Sequence, residues 1–231
     1  MQLFFQENLL QDSFTLSLEE SKHITKSLRL KEGAIVWITD GQGTLAKAVL
    51  TSVLNNSCVA KITDRILHNK LTQKQLHLAV APTKNPNRME WLVEKAVEIG
   101  VSQISFIICD HSERKNVDIN RLHRIAVAAL KQSQGIWLPK LQTLTFSQLM
   151  KESSTIIADK FIACCNEKEC ATDIAQIQYQ QKDAIFLIGP EGDFTPKEIL
   201  DARTFGFQQI SLGEKTLRTE TAALFVVCRF A

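Results

Sequence analysis

Two glycine-led loops near the C-terminus gather the residue types that could do chemistry. The first, IGPEGDFT (188–195), carries Gly189, Glu191 and Gly192. The second, SLGEKTLRTETA (211–222), places Lys215, Arg218, Glu220 and the threonines Thr216, Thr219 and Thr221 directly after Leu212 and Gly213. Glycine carries no Cβ, so backbone N–H and C=O groups beside it can approach a ligand closely. An arginine in the same place can stabilise negative charge that develops during a reaction. The first loop, taken alone, would also serve as an ordinary turn from strand to helix. The second holds far more polar chemistry than a connection needs, so the pair reads as a ligand cradle with a cation on its border.

The elements around these loops are specified locally. Ala184 to Ile188 is an apolar strand that leads into the first loop. Thr195, Pro196 and Glu198 then supply an N-cap, a first-turn proline and a capping-box partner for a helix that ends at Gly206. A second strand, Gln209 to Leu212, leads into the second loop, and the helix that opens at Thr219 is almost wholly apolar after its first turn. Upstream, strands at Leu76 to Val80, Ile104 to Cys109 and Phe161 to Cys165 alternate with helices at Arg88 to Ile99 and Ile119 to Ser133, and a short helix follows Thr145 with Gln148 as its capping-box partner. The first of these helices carries Met89, Leu92, Val93, Ala96 and Val97 on one stripe and ends at Gly100. Such alternation predicts an α/β domain with a mostly parallel sheet covered on both faces. In an open sheet of this kind ligands bind beyond the carboxyl ends of the strands. Lys84, Arg88 and Arg114 fall in loops or helix starts at that same end.

The first 70 residues have a different texture. Ala34 to Thr39, Thr44 to Val53 and Ser57 to Ile66 read as strands, the first two joined by a hairpin at Asp40-Gly41-Gln42-Gly43. Ser17 with Glu20 opens one helix as a capping box, and Leu18, Ile24 and Leu28 share its buried side. A small β-barrel with one helix fits this pattern, with Ile66 to Gln75 as the polar linker to the second domain.

Composition narrows the function classes. The chain has 231 residues, is 45% hydrophobic and has a formal net charge of +2. The positive excess lies in the first 75 residues and does not by itself announce a nucleic-acid binder. No apolar run approaches the roughly 20 residues of a membrane span, and the N-terminal segment lacks a basic start and a signal core, so the expectation is a cytoplasmic protein with no membrane partner. The six cysteines show no Cys-x-x-Cys spacing and most lie in apolar runs, which reads as reduced core residues, neither metal ligands nor disulfides. The five histidines, His111 beside Ser112 and Arg114 among them, show no metal-ligand spacing, and no metal is expected. There is no Walker motif and no G-x-G-x-x-G, against a nucleoside triphosphatase and a conventional dinucleotide site.

The two loop sequences, together with APTKNPNRMEWLVEKAVEIGV (81–101), CDHSERK (109–115) and, less sharply, HITKSLRLKEG (23–33), resemble the RsmE family of the SPOUT superfamily, which methylates N3 of a uridine in 16S ribosomal RNA. The resemblance spans nearly the whole chain. It implies a PUA-like β-barrel RNA-binding domain over residues 1–70 and a SPOUT domain over 75–231, in which the last helix threads a loop to form a trefoil knot. It implies S-adenosyl-L-methionine as cofactor, 16S rRNA or the small ribosomal subunit as partner, and a homodimer. For the cofactor it points to Gly189, Glu191, Gly192, Leu212, Gly213, Leu217, Thr219, Thr221 and Ala222. Catalysis falls to Arg218, Glu220 and Arg114, and RNA contact to Lys22, Lys26, Arg29, Lys84 and Arg88. The family pattern has glycine where this chain has Asp193. A ribose 2′-O-methyltransferase of the same superfamily and a catalytically silent RNA-binding protein are the competing readings.

Overall fold

Short alternating segments at the N-terminus build one sheet. β1 (Leu3–Phe5), β2 (Ser13–Thr15), β3 (Ile35–Thr39), β4 (Thr44–Leu54) and β5 (Ser57–Leu67) pair in the order β1-β3-β4-β5-β2, with β1 parallel to β3 and the other pairs antiparallel. Every second residue of β4 and β5 over Ala46 to Leu50 and Cys58 to Ile62 is buried, and this face closes over Phe4, Ile24, Val36 and Ile38. The computed structural model describes residues 2–69, 74–164 and 171–231. The chain divides into two units, one of Met1–Gln73 with Val127–Leu138, the other of Lys74–Ala126 with Pro139–Ala231.

Several expectations for the first unit change. Ile66 and Leu67 belong to β5, paired with Leu45 and Thr44, and are not linker; residues 70–73 of that linker lie outside the described residues. Helix α1 (Leu18–Lys22) is capped as expected by Ser17, whose Oγ accepts from Glu20 N, but the reciprocal half of the capping box is missing. The Glu20 carboxylate accepts instead from Phe5 N (3.2 Å) and from Lys131 Nζ (2.7 Å), and the residue is 4% exposed. A charge so buried must find partners of this kind. Leu18 is exposed, not on the buried side with Ile24. The helix widens into π-helical turns over His23–Leu28, where Thr25 Oγ1 donates to Ser21 O inside the ladder, and it ends on Arg29 in the left-handed region at φ 52°.

The β3–β4 turn does more than reverse the chain. Gly43 N donates to Ile136 O and Leu138 N donates to Gly41 O, so residues 136–138 dock on the turn. A Cβ on Gly43 would run into the Trp137 ring.

In the second unit, β6 (Leu76–Val80), β7 (Gln103–Ile108), β8 (Lys140–Thr145), β9 (Asp159–Ala163), β10 (Thr172–Asp173), β11 (Ala184–Ile188) and β12 (Gln208–Ser211) form a seven-stranded sheet in the order β10-β12-β9-β11-β6-β7-β8. All six pairings are parallel. β6 and β11 at its centre are buried at every position, which is why they read as continuous apolar runs. Helices α2 (Pro86–Ile99), α3 (Ile119–Gln132), α4 (Phe146–Ser153), α5 (Pro196–Thr204) and α6 (Thr219–Phe230) follow the expected alternation. Ile162, Ile185 and Leu187 on one sheet face pack with Leu149 and Met150 of α4 and Ile199 and Ala202 of α5. α6 packs on α2, β6 and β11.

Both expected capping boxes of this unit, Thr145/Gln148 and Thr195/Glu198, form in both directions. α2 starts two residues before the expected Arg88, because Asn85 caps Asn87 N and Pro86 takes the first turn. The strand expected at Phe161 to Cys165 is Asp159–Ala163, with Cys165 outside the described residues, and Leu212 lies past the end of β12 in the loop. β8 and β10 were not read from sequence; β8 is an edge strand of half-exposed residues and β10 spans two residues. Cys58, Cys109 and Cys164 are buried, whereas Cys228 is exposed on α6.

Candidate active site

β9, β11 and β12 end side by side, and beyond their carboxyl ends lies a cavity of about 570 Å³. Its size is that of a site for a nucleoside-sized ligand. The β9 end contributes Ala163 and Cys164, and the first glycine loop contributes Ile188 through Asp193. The second loop contributes Ser211, Leu212 and Gly213, then Lys215 through Thr219, and Ala222 of α6 completes the wall. Of the cofactor candidates, Gly189, Glu191, Gly192, Leu212, Gly213, Leu217, Thr219 and Ala222 line this space. Thr221 does not; it is exposed on the first turn of α6.

The glycines have different reasons to be glycine. A Cβ on Gly213, at φ 110°, would meet no protein atom within 4 Å, so only its backbone conformation forbids a side chain. A Cβ on Gly189 would lie 3.1 Å from the Phe194 ring, and one on Gly192 would lie 3.2 Å from His111 Cβ. Both residues line the cavity, while on the side a Cβ would take a protein side chain already stands close. Asp193, where the resembling family has glycine, adopts φ 60°. Aspartate tolerates that region better than most residues, and here its Oδ1 accepts from Phe194 N at 2.8 Å while Asp193 N donates to Pro190 O.

The two loops are tied together by Thr219, whose buried Oγ1 donates to Gly189 O at 3.1 Å. Arg218, directly before α6, is exposed and borders the cavity. Glu220 is buried, lies off the lining, and approaches Arg88 Nε with Oε1 at 3.5 Å. Its Oε2 is buried without a hydrogen-bond partner among the described residues.

Of the remaining candidates at this edge, Lys84 touches the first loop and Arg114 reaches it only through Lys84. Glu191 Oε1 accepts from Lys84 N (3.2 Å), Arg114 Nη1 donates to Lys84 O (3.4 Å), and Lys84 Nζ pairs with Glu113 (3.1 Å). None of Lys84, Arg88 and Arg114 lines the cavity. Lys22 at the end of α1, Lys26 in the π-helical turns and Arg29 just after them are exposed. Sequence reasoning missed the part played by Ala163 and Cys164, because a strand end without glycine or charge carries no local signal. Just past the end of β7, burial foremost and then the nearby Glu198 push the Cys109 thiol well above its ordinary range, so that strand end presents no thiolate. Among the described residues no three His, Cys, Asp or Glu side chains gather as metal ligands would, and no helix is long and apolar enough to cross a membrane.

Comparison with known proteins agrees with this geometry. A family model described as an RNA methyltransferase domain matches residues 70–231, and one described as an RNA methyltransferase PUA domain matches residues 17–63. A ribosomal RNA small subunit methyltransferase E from Mesomycoplasma hyopneumoniae is 29% identical over 99% of this chain and 98% of its own length. The crystal structure of a probable rRNA-methyltransferase from Porphyromonas gingivalis superposes with a TM-score of 0.89 at 35% identity, covering 99% of this chain and 96% of that one. A ribosomal RNA small subunit methyltransferase E from Neisseria gonorrhoeae, bound to S-adenosyl methionine, superposes with a TM-score of 0.82 at 25% identity over 99% and 95% of the two chains. The chain belongs to the RNA methyltransferase family, alongside the ribosomal RNA small subunit methyltransferase E proteins.

Proposed function

We propose that this protein is an S-adenosyl-L-methionine-dependent methyltransferase that methylates N3 of a uridine in 16S ribosomal RNA of the small subunit. The observation that carries the reading is the cavity at the carboxyl edge of the parallel sheet, walled by two glycine loops and bordered by Arg218. The residues present fit the cofactor: Ile188, Leu212 and Leu217 offer apolar surface, the loop backbones offer hydrogen-bonding groups, and the open side of Gly213 leaves room that a Cβ would fill. Bound there, the cofactor supplies an electrophilic methyl group.

The protein's own task is to make a poor nucleophile ready. Uracil N3 carries a proton, and its removal leaves an anion spread over the flanking carbonyl oxygens. Arg218 at the cavity border stabilises that charge. Glu220 positions the target or its proton acceptor, and Arg114 supports the same edge. Lys84 and Arg88 in this domain, and Lys22, Lys26 and Arg29 in the PUA-like domain over residues 1–70, contact RNA phosphates without reading sequence. The methyltransferase domain over 75–231 carries the trefoil knot of its superfamily, threaded by α6, and pairs with a second copy as a cytoplasmic homodimer.

Small subunits from a strain lacking the protein, incubated with it and S-adenosylmethionine, should acquire a methyl group on the uridine base, read by nucleoside digestion and mass spectrometry. A methyl group on ribose, or none, overturns the assignment. A monomer mass by light scattering at micromolar concentration would rule out the dimer.

A further inference from the structure

His111 lies outside the cavity, yet it holds the glycine loop that forms one wall. Its Nδ1 is 3.1 Å from Gly192 O and 3.0 Å from Asp193 O. Both partners are carbonyl oxygens and can only accept, so Nδ1 carries the proton and donates to the pair. The ring also packs against the loop, since the position a Cβ would take on Gly192 is 3.2 Å from His111 Cβ. The contact joins residues 81 and 82 apart in sequence. Its own segment is anchored: Ser112 Oγ accepts from Cys109 N at 3.0 Å, and Asp110 N donates to Glu198 Oε1 at 3.0 Å, the carboxylate that also caps α5.

We infer that His111 is a positioning residue for the cofactor loop, acting through the Gly192 and Asp193 carbonyls. Both carbonyls accept from the one Nδ1, which fixes the peptide planes on either side of Asp193. That matters because Asp193 sits at φ 60°, a region from which an L-residue tends to relax. With the imidazole in place, the backbone facing the cavity is held in one conformation before any ligand arrives, and preorganisation of this kind shows as affinity. The inference rests on the reading of the cavity as the S-adenosylmethionine site.

The test is calorimetric titration of the full-length protein with S-adenosylmethionine, together with hydrogen exchange of residues 189–194 in the absence of cofactor. His111→Ala should weaken binding about fivefold to tenfold, the scale of one shared hydrogen bond, and should speed exchange in the loop. His111→Asn, whose side-chain amide can donate from nearly the same place as Nδ1, should bind within about twofold of the parent on that same scale. A merely structural role would not be rescued by asparagine. The inference falls if His111→Ala binds as tightly as the parent, or if His111→Asn is as weak as His111→Ala. Should the parent itself fail to bind, the cofactor reading falls instead, and the exchange measurement still decides whether His111 holds the loop.

Discussion

Arg88 Nε lies 3.5 Å from Glu220 Oε1, linking the first turn of α2 to the first turn of α6. Glu220 is 7% exposed and Arg88 is its ionic partner, while Glu220 Oε2 has no hydrogen-bond partner among the described residues. The carboxylate also lies at the positive end of the α6 dipole, which favours its charge. Arg88 therefore has a structural task besides any contact with RNA.

Removing Arg88 leaves a buried charge without its partner, whereas neutralising Glu220 removes the charge itself. Breaking a fully buried pair costs about 3–5 kcal/mol. With Arg88 one-third exposed, Arg88→Ala should cost less than that, about 2 kcal/mol, and Glu220→Gln less again. Urea unfolding of both variants and the double variant checks this. Equal losses for the two single changes would show that the asymmetry of charge burial is not the cause.

Gly213→Val should abolish S-adenosylmethionine binding while the protein stays folded, because valine would be strained at φ 110° and its side chain would fill the open side of the loop. Calorimetry reads the affinity and circular dichroism the fold. Undiminished affinity would remove Gly213 from the cofactor site.

Arg218→Ala should keep cofactor binding and lose turnover by about a hundredfold to a thousandfold, the usual effect of deleting one preorganised charge partner of a transition state. Part of the loss should return at higher pH, where N3 gives up its proton without help. Loss of cofactor affinity with normal turnover at saturation would make Arg218 a cofactor residue.

Acid should weaken the methyltransferase unit through His77. Burial, and secondarily the charge of Lys140, lowers its pKa from 6.5 to about 4. Above pH 6.5 the ring is neutral folded or unfolded and contributes no pH dependence. Between pH 6.5 and 4 the unfolded chain takes up a proton that the folded chain refuses, so stability falls as pH falls, by at most about 3 kcal/mol. Carboxylates titrate in the lower part of this window, so the measurement is the difference in unfolding free energy between the parent and His77→Gln at pH 7 and pH 4.5. An identical pH dependence in the two proteins would show that His77 is not responsible.

What the sequence determined was whatever its own neighbours could specify. The Thr195/Glu198 and Thr145/Gln148 capping boxes close within three residues, and β6 and β11 announce themselves as unbroken apolar runs because both their faces are covered. The loops after β11 and β12 were legible for the same reason, as glycine and charge concentrated where strand patterns stop. Tertiary structure decided the rest. Ser17 and Glu20 have capping-box spacing, but a buried carboxylate gains more from Lys131 Nζ and Phe5 N than from its own helix start. β1, β2 and β10 are too short to carry a period of their own and exist because a neighbouring strand pairs with them. A side chain on Gly192 would crowd His111, and the buried Glu220 has Arg88 as its ionic partner among the described residues; the two pairs lie 81 and 132 residues apart in the chain, and only folding brings them within reach.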